Sequence, residues 1–285
     1  MPVPPPRRAL LRAALGGAAA LPLLPRLAGA APSPAPSTPP PAIPVPAAQA
    51  SSAARPALAQ CRAGTLYLTI DTGWGREAES IAGAMRARGV RATLFVADEP
   101  DFRGGRTLGE SWAPFWRARA AEGHAFASHT FRHWYFGADP GPGRVRYASR
   151  RGEGAEVLDG AGLCAELARP VEALRRMAPE ARVLPLWRAP GDRTTPNALR
   201  LAAACGLRHQ GWTARGFLGD ELDSAAHPNA TLLRRALGGI RDGEVLVMHW
   251  GVRSRREPFG LVFADLLDGL LARGFCFATL PEQGA

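Results

Sequence analysis

The chain contains no lysine: all 35 positions counted as Lys or Arg are arginine. This fits the codon bias of a GC-rich genome better than recognition chemistry. Basic nucleic-acid modules cluster Arg and Lys on one element with aromatics interleaved, and with that pattern missing a nucleic-acid partner is excluded. Cysteine is also scarce, with four residues and no CxxC spacing, which argues against a zinc ribbon. No stretch reaches the about 20 strongly apolar residues of a membrane-spanning helix, and no internal repeat is evident.

What is present points to an exported protein. The formal net charge is +10, but Arg7, Arg8, Arg12 and Arg26 fall in a stretch without acids, and setting those four aside leaves +6. Arg7-Arg8 precedes the apolar run Ala13 to Leu24 and the small residues Ala28-Gly29-Ala30, the pattern of a twin-arginine export signal over residues 1–30. The expected destination is periplasmic or extracellular, with membrane contact only through the signal during export. Residues 31–60 are rich in Pro, Ala and Ser, so they are expected to form an extended, disordered tether. This leaves 61–285 for one catalytic domain, and 46% hydrophobic content suits a packed core. An even number of cysteines suits an oxidising compartment. Cys61 leads into the first expected strand and Cys276 lies in the last, so Cys61 to Cys276 is the favoured pairing.

Apolar runs and 3.6-residue periodicity alternate along that domain. Strands are expected at Thr65–Ile70, Ala92–Val96, His124–Ala127, Val183–Trp187, Arg208–Trp212, Val245–His249 and Phe275–Leu280. Helices are expected at Glu77–Arg88, Trp112–Glu122, Leu163–Met177, Pro196–Cys205, Ala230–Ile240 and Phe259–Arg273. Such alternation favours a parallel sheet covered by helices, closed or nearly closed into a barrel. The Gly-rich stretch Gly137 to Gly160 reads as a loop, a candidate lid.

Ligand-grade residues sit at four of the strand ends. Asp71 ends Leu66-Tyr-Leu-Thr-Ile70 and precedes Thr72-Gly73, so its carboxylate projects from a strand into a turn, where a general base can sit. His129 and His133, in Ser128-His-Thr-Phe-Arg-His, have the spacing of one helical turn and can close on one metal ion. Arg188, in Trp187-Arg-Ala-Pro-Gly191, is a bidentate partner for Asp71. His249 closes Val245-Leu-Val-Met-His and is a candidate general acid, supported by Asp220 or Asp223. Trp212 and Trp134 are candidate sugar-stacking surfaces. Arg253, Arg255 and Arg256 form a tight cluster beside this site that suits an anionic glycan.

In this order the motifs resemble the polysaccharide deacetylase family, the NodB-homology carbohydrate esterases, over about Thr65 to Leu280. The resemblance implies a distorted (β/α) barrel of about seven strands that removes N- or O-acetyl groups from a cell-envelope glycan with a divalent metal, usually zinc. It implies Asp71 as base, His129 and His133 as metal ligands, Arg188 as the residue orienting the base, and His249 as acid. The chain departs from the family at Thr72, where a second acid normally completes the metal site; Asp71 itself, Asp139 or another acid is then the candidate third ligand. The motif around Gly211-Trp-Thr-Ala-Arg-Gly-Phe217 is also reduced, with Arg215 near the place of an acid and Asp220 a few residues late. Two rival expectations follow: a weakened glycan-binding protein on the same barrel, and a metal-independent hydrolase of a non-sugar amide.

Overall fold

The computed structural model describes residues 61–282 and 284; the expected export signal and tether lie outside them. Among the described residues ten strands and six α-helices follow in the order β1 (Gly64–Asp71), α1 (Ala78–Ala87), β2 (Thr93–Val96), α2 (Ala113–Ala121), β3 (Ala125–Ser128), β4 (Tyr135–Phe136), β5 (Val145–Ala148), β6 (Ala155–Leu158), α3 (Gly160–Met177), β7 (Arg182–Trp187), α4 (Pro196–Ala204), β8 (Arg208–His209), α5 (Asn229–Gly239), β9 (Val245–His249), α6 (Gly260–Ala272) and β10 (Phe275–Ala278). Every strand and helix expected from periodicity is present within a few residues of its expected ends. The apolar positions that produced the period are the ones that bury. Leu66, Leu68 and Ile70 of β1 face Ile81 and Met85 of α1 and Phe263, Leu266 and Leu270 of α6, where packing of apolar surface stabilises by about 25 cal/mol per Å². Two helices also start on residues that suit a first turn: Asp159 accepts from Gly162 N–H, and Thr195, ahead of Pro196, accepts from Ala198 N–H.

Seven strands form one parallel sheet, with the path β10-β1-β2-β3-β7-β8 and β9 pairing β1 along its other edge. The curl stops short of a closed barrel: between β8 and β9 a single bridge from Phe217 to Val247 stands in for a strand. Strand register then sets the site, because Asp71 of β1 lies opposite His249 of β9 and Phe95 of β2, and Ser128 of β3 lies opposite Trp187 of β7. Five neighbouring strands, in the order β9, β1, β2, β3 and β7, therefore open at one end of the sheet.

The stretch Gly137 to Gly160 corrects its reading as a loop. β4, β5 and β6 form a small antiparallel sheet there, with Val145 opposite Leu158 and Tyr135 opposite Ala148. Val145, Tyr147 and Leu158 are buried against Phe136, Leu163 and Trp187. Glycines outside the strands mask this in the sequence, since three short strands separated by turns offer no run long enough to show a period of two.

Cys61 is joined to Cys276, as the adjacency of β1 and β10 suggests, and Cys164 on α3 is joined to Cys205 at the end of α4. Among the described residues no helix is long and apolar enough to cross a membrane.

Candidate active site

At the open end of the sheet each of the five central strands delivers a functional side chain. Asp71, on the last residue of β1, is 2% exposed, and Arg188, just past β7, is 0% exposed. The guanidinium donates from Nη1 to Asp71 Oδ1 at 2.8 Å and to Thr69 Oγ1 at 2.8 Å; its Nε and Nη2 donate to the carbonyls of Gln210 and Gly211. Burial pushes the Asp71 carboxyl up, but Arg188, then His129 and His249, outweigh it and hold the group below its ordinary 3.8. His129 acts on that carboxyl only as an imidazolium, and burial drives its own pKa down to about 3. The ring is therefore neutral near pH 7, where Arg188 and the His249 imidazolium are the positive charges beside the Asp71 carboxylate.

The two histidines of the Ser128–His133 stretch do not lie on a helix. Thr130 and His133 take positive φ of 62° and 54°, a conformation costly for side chains other than glycine. Buried Glu166 of α3 holds this loop in place: it accepts from Arg132 N–H at 2.7 Å and from Arg132 Nε at 3.0 Å, and the Tyr147 hydroxyl stands 2.9 Å from both Glu166 and Thr130.

The outcome is a pair of imidazoles that meet edge-on, with planes 61° apart and their Nε2 atoms turned to each other. His129 Nδ1 donates to the Arg188 carbonyl at 3.0 Å, His133 Nδ1 lies 3.2 Å from Glu99 Oε1, and the two Nε2 atoms stand 3.2 Å apart. A carbonyl and a carboxylate accept from the Nδ1 atoms, so both Nδ1 carry the proton and both Nε2 present lone pairs. Such a contact is repulsive unless a cation or a proton sits between them. Nitrogens bound to one tetrahedral zinc are separated by roughly 3.3 Å, so the pair fits a divalent ion.

The third donor is where the site departs from the expectation. The Thr72 hydroxyl is not turned to the histidines: it donates to Phe95 O at 3.0 Å and accepts from Ala97 N–H at 2.8 Å, pinning β1 to β2. Asp139 is also away from the site, accepting from Asn197 N–H at the start of α4 at 2.9 Å. Asp71 Oδ2, left free by Arg188, is the oxygen near the pair, 3.6 Å from His129 Nε2. Among the described residues, no group of three or more His, Cys, Asp or Glu side chains closes into a complete metal site. Two imidazoles fit the ion; the third position is not filled as in the family pattern.

His249, opposite Asp71 in register, is held by Asp220, whose Oδ2 accepts from the His249 backbone N–H at 2.7 Å and stands 3.1 Å from its Nδ1. Burial works to lower the imidazole pKa, but Asp220, with Asp71 and Glu221 behind it, pushes it up to about 10. Asp223, the other carboxylate considered for this role, instead caps a turn through Ala225 and Ala226 N–H. Gly73 allows the close approach of these strand ends: a Cβ there would meet Gly251 O at 2.7 Å and His249 Cβ at 3.2 Å.

Asp71, His129, His133 and His249 line one small cavity of about 50 Å³ together with Trp212 and Tyr135. Trp134 lines a neighbouring cavity instead, where its indole N–H donates to Glu153 at 3.0 Å. Arg255 leaves the expected basic cluster, for it is buried and donates to the carbonyls of Leu222 and His227 and to Asn229 Oδ1. Glu99 was missed by the sequence reading. It is 7% exposed, follows β2 by three residues, and leaves its second carboxylate oxygen buried with no hydrogen-bond partner. The signal that found the other groups, an acid just past a strand end, was present at Asp98-Glu99.

The polysaccharide deacetylase family model matches residues 60–209, just over half of the chain. The chain belongs to this family. Solved structures with the same fold include a family 4 carbohydrate esterase from Streptomyces lividans in complex with acetate, at 20% identity and a TM-score of 0.54, covering 77% of this chain and 94% of that one. A family 4 acetyl xylan esterase from Clostridium thermocellum, in complex with a cobalt ion, matches at 16% identity and a TM-score of 0.56, covering 75% and 87%. A family 4 pseudoenzyme from Bacillus anthracis matches at 15% identity and a TM-score of 0.55, covering 75% of this chain and 63% of that one. No match was found among curated proteins. At these identities the structural matches establish the fold, and the roles within this deacetylase-family site rest on its own geometry.

Proposed function

We propose that this protein is an exported hydrolase that removes N- or O-linked acetyl groups from a cell-envelope polysaccharide. The observation that carries the reading is the pairing of opposites at two adjacent strand ends. Asp71 is held ionised by Arg188 and His249 is held protonated by Asp220, so a base and an acid face one cavity at the same pH.

Asp71 takes the proton of the attacking water on Oδ2, the oxygen that Arg188 leaves free. The oxygen so activated bonds to the acetyl carbon. His249, with Nδ1 engaged by Asp220, gives the proton on Nε2 to the departing sugar nitrogen or oxygen as the bond to carbon breaks. Thr72 N–H is spent on Phe95 O, so Gly73 N–H, on the wall of the adjoining cavity, is the backbone donor left for the oxyanion. His129 and His133 would hold a divalent metal, zinc by the donor type, and such an ion supplies a Lewis acid to the acetyl carbonyl and the water. Export is part of the proposal and draws support from the two disulfides.

The spent Thr72 hydroxyl favours a second reading, a weakened family member that binds glycan with little turnover. Acetate release from acetylated chito-oligosaccharides and acetylated xylan, with and without chelator, separates the two. Turnover lost on chelation and regained with zinc supports the hydrolase, and binding without acetate supports the alternative.

A further inference from the structure

The catalytic cavity is flanked by two others, and His133 is a wall of all three. One, of about 540 Å³, also reaches His249 and carries Trp74 and Arg253; the second, of about 130 Å³, carries Tyr135 and Arg150, and the two share Glu99, Pro100, His133 and Arg151 as wall residues. The two are built alike. Arg253 stacks over the Trp74 ring at 4.8 Å and Arg150 over the Tyr135 ring at 4.9 Å. Among the described residues neither guanidinium has a carboxylate within ion-pair distance. A guanidinium held by its face through cation–π attraction keeps its N–H edge free, and that edge matches the two oxygens of a carboxylate. Arg151, on the walls of both cavities, is 3.8 Å from a Glu99 oxygen that His133 already engages.

The acids on these walls keep their charge but are turned to groups other than Arg253 and Arg150. Glu99 is engaged by His133, Glu153 accepts from Trp134 Nε1 and Ser149, and Glu221 acts on His249. Aromatic rings beneath the arginines add a surface for sugar C–H groups.

We propose that the two flanking cavities are subsites for carboxylate-bearing sugars, so that the substrate is an acidic glycan whose acetylated unit is bracketed by uronate-type residues gripped by Arg253 and Arg150. This deepens the deacetylase reading and rests on it for the position of the acetylated unit, while the arginine subsites stand on their own geometry.

The test uses the full chain and two probes, a hexamer alternating N-acetylglucosamine with glucuronate and a neutral N-acetylglucosamine hexamer. Binding is measured by calorimetry at about 20 mM and about 300 mM salt, and acetate release is followed separately. The acidic hexamer should bind about tenfold tighter at low salt. That advantage should shrink at high salt and collapse in the Arg150→Ala, Arg253→Ala double variant, but persist in Arg256→Ala, whose side chain is exposed and outside both cavities. Single variants Arg150→Ala and Arg253→Ala, each a surface truncation, guard against a folding failure of the double. Equal affinity for the two hexamers, or equal loss in Arg256→Ala, overturns the proposal even if acetate is released from the neutral probe. Preferential binding of the acidic hexamer with no acetate from either upholds the subsites and sinks the deacetylase reading.

Discussion

Arg188 donates to Asp71 Oδ1 at 2.8 Å while passing its own backbone carbonyl to His129 Nδ1 at 3.0 Å. One residue thereby orients the carboxylate with its side chain and the first imidazole with its main chain. The guanidinium is sealed from water on every edge, so this contact is unscreened.

Removing one member of a buried pair leaves an uncompensated charge and costs about 3 to 5 kcal/mol. Arg188→Ala should lower the unfolding midpoint by several degrees and cut acetate release at least about a hundredfold, since Asp71 loses its aim. Asp71→Asn should abolish turnover and also cost stability, because the amide still accepts from Arg188 but leaves that buried guanidinium without its counter-charge. Thermal unfolding and acetate assays measure both; an Arg188→Ala protein with normal turnover would refute the positioning role.

Thr72→Val tests whether the hydroxyl is a ligand or a backbone staple. The geometry says staple, so the variant should lose about 1 to 3 kcal/mol from the orphaned Ala97 N–H while zinc affinity, read by calorimetry, stays unchanged. Thr72→Asp, which restores the acid of the family pattern, should tighten zinc by about tenfold or more.

Glu99 fixes the tautomer of His133 and adds negative charge behind it. Glu99→Gln should weaken zinc binding by about 10- to 100-fold with little change in fold, because the amide oxygen still accepts from Nδ1. Unchanged affinity in that variant would show the carboxylate to be a bystander.

The alkaline limit of activity should report His249. Its pKa is raised from 6.5 to about 10, so the acid stays loaded at neutral pH and the rate falls only as pH nears 10. In Asp220→Asn the limb should move towards 6.5 or below, because burial then acts on the ring without its main counter-charge. The sign for stability is the same: the His249–Asp220 pair contributes fully below pH 6.5 and its contribution drains as pH rises through about 10. A pH–rate profile of kcat/KM for both proteins checks the shift.

Chain entropy ranks the disulfides. Closing 215 residues through Cys61–Cys276 is worth about 5 kcal/mol, and closing 41 through Cys164–Cys205 about 4. Cys61→Ser with Cys276→Ser should therefore unfold at a lower temperature than Cys164→Ser with Cys205→Ser, with both below the oxidised protein.

The alternation of helix and strand, the family, and the groups Asp71, His129, His133, Arg188 and His249 were legible along the chain. Each follows from a local signal: an apolar period that must bury, or a polar residue where an apolar strand ends. The cysteine pairing of β1 with β10 followed from the order of strands. What only the tertiary structure decided is direction and company. No spacing reveals that the Thr72 hydroxyl turns to Phe95 and Ala97, that His133 takes a left-handed backbone to face His129, or that Glu99 stands behind it. Side-chain aim depends on which strands neighbour each other and in what register, and those neighbours are remote along the chain, 178 residues apart in the pairing of Asp71 with His249.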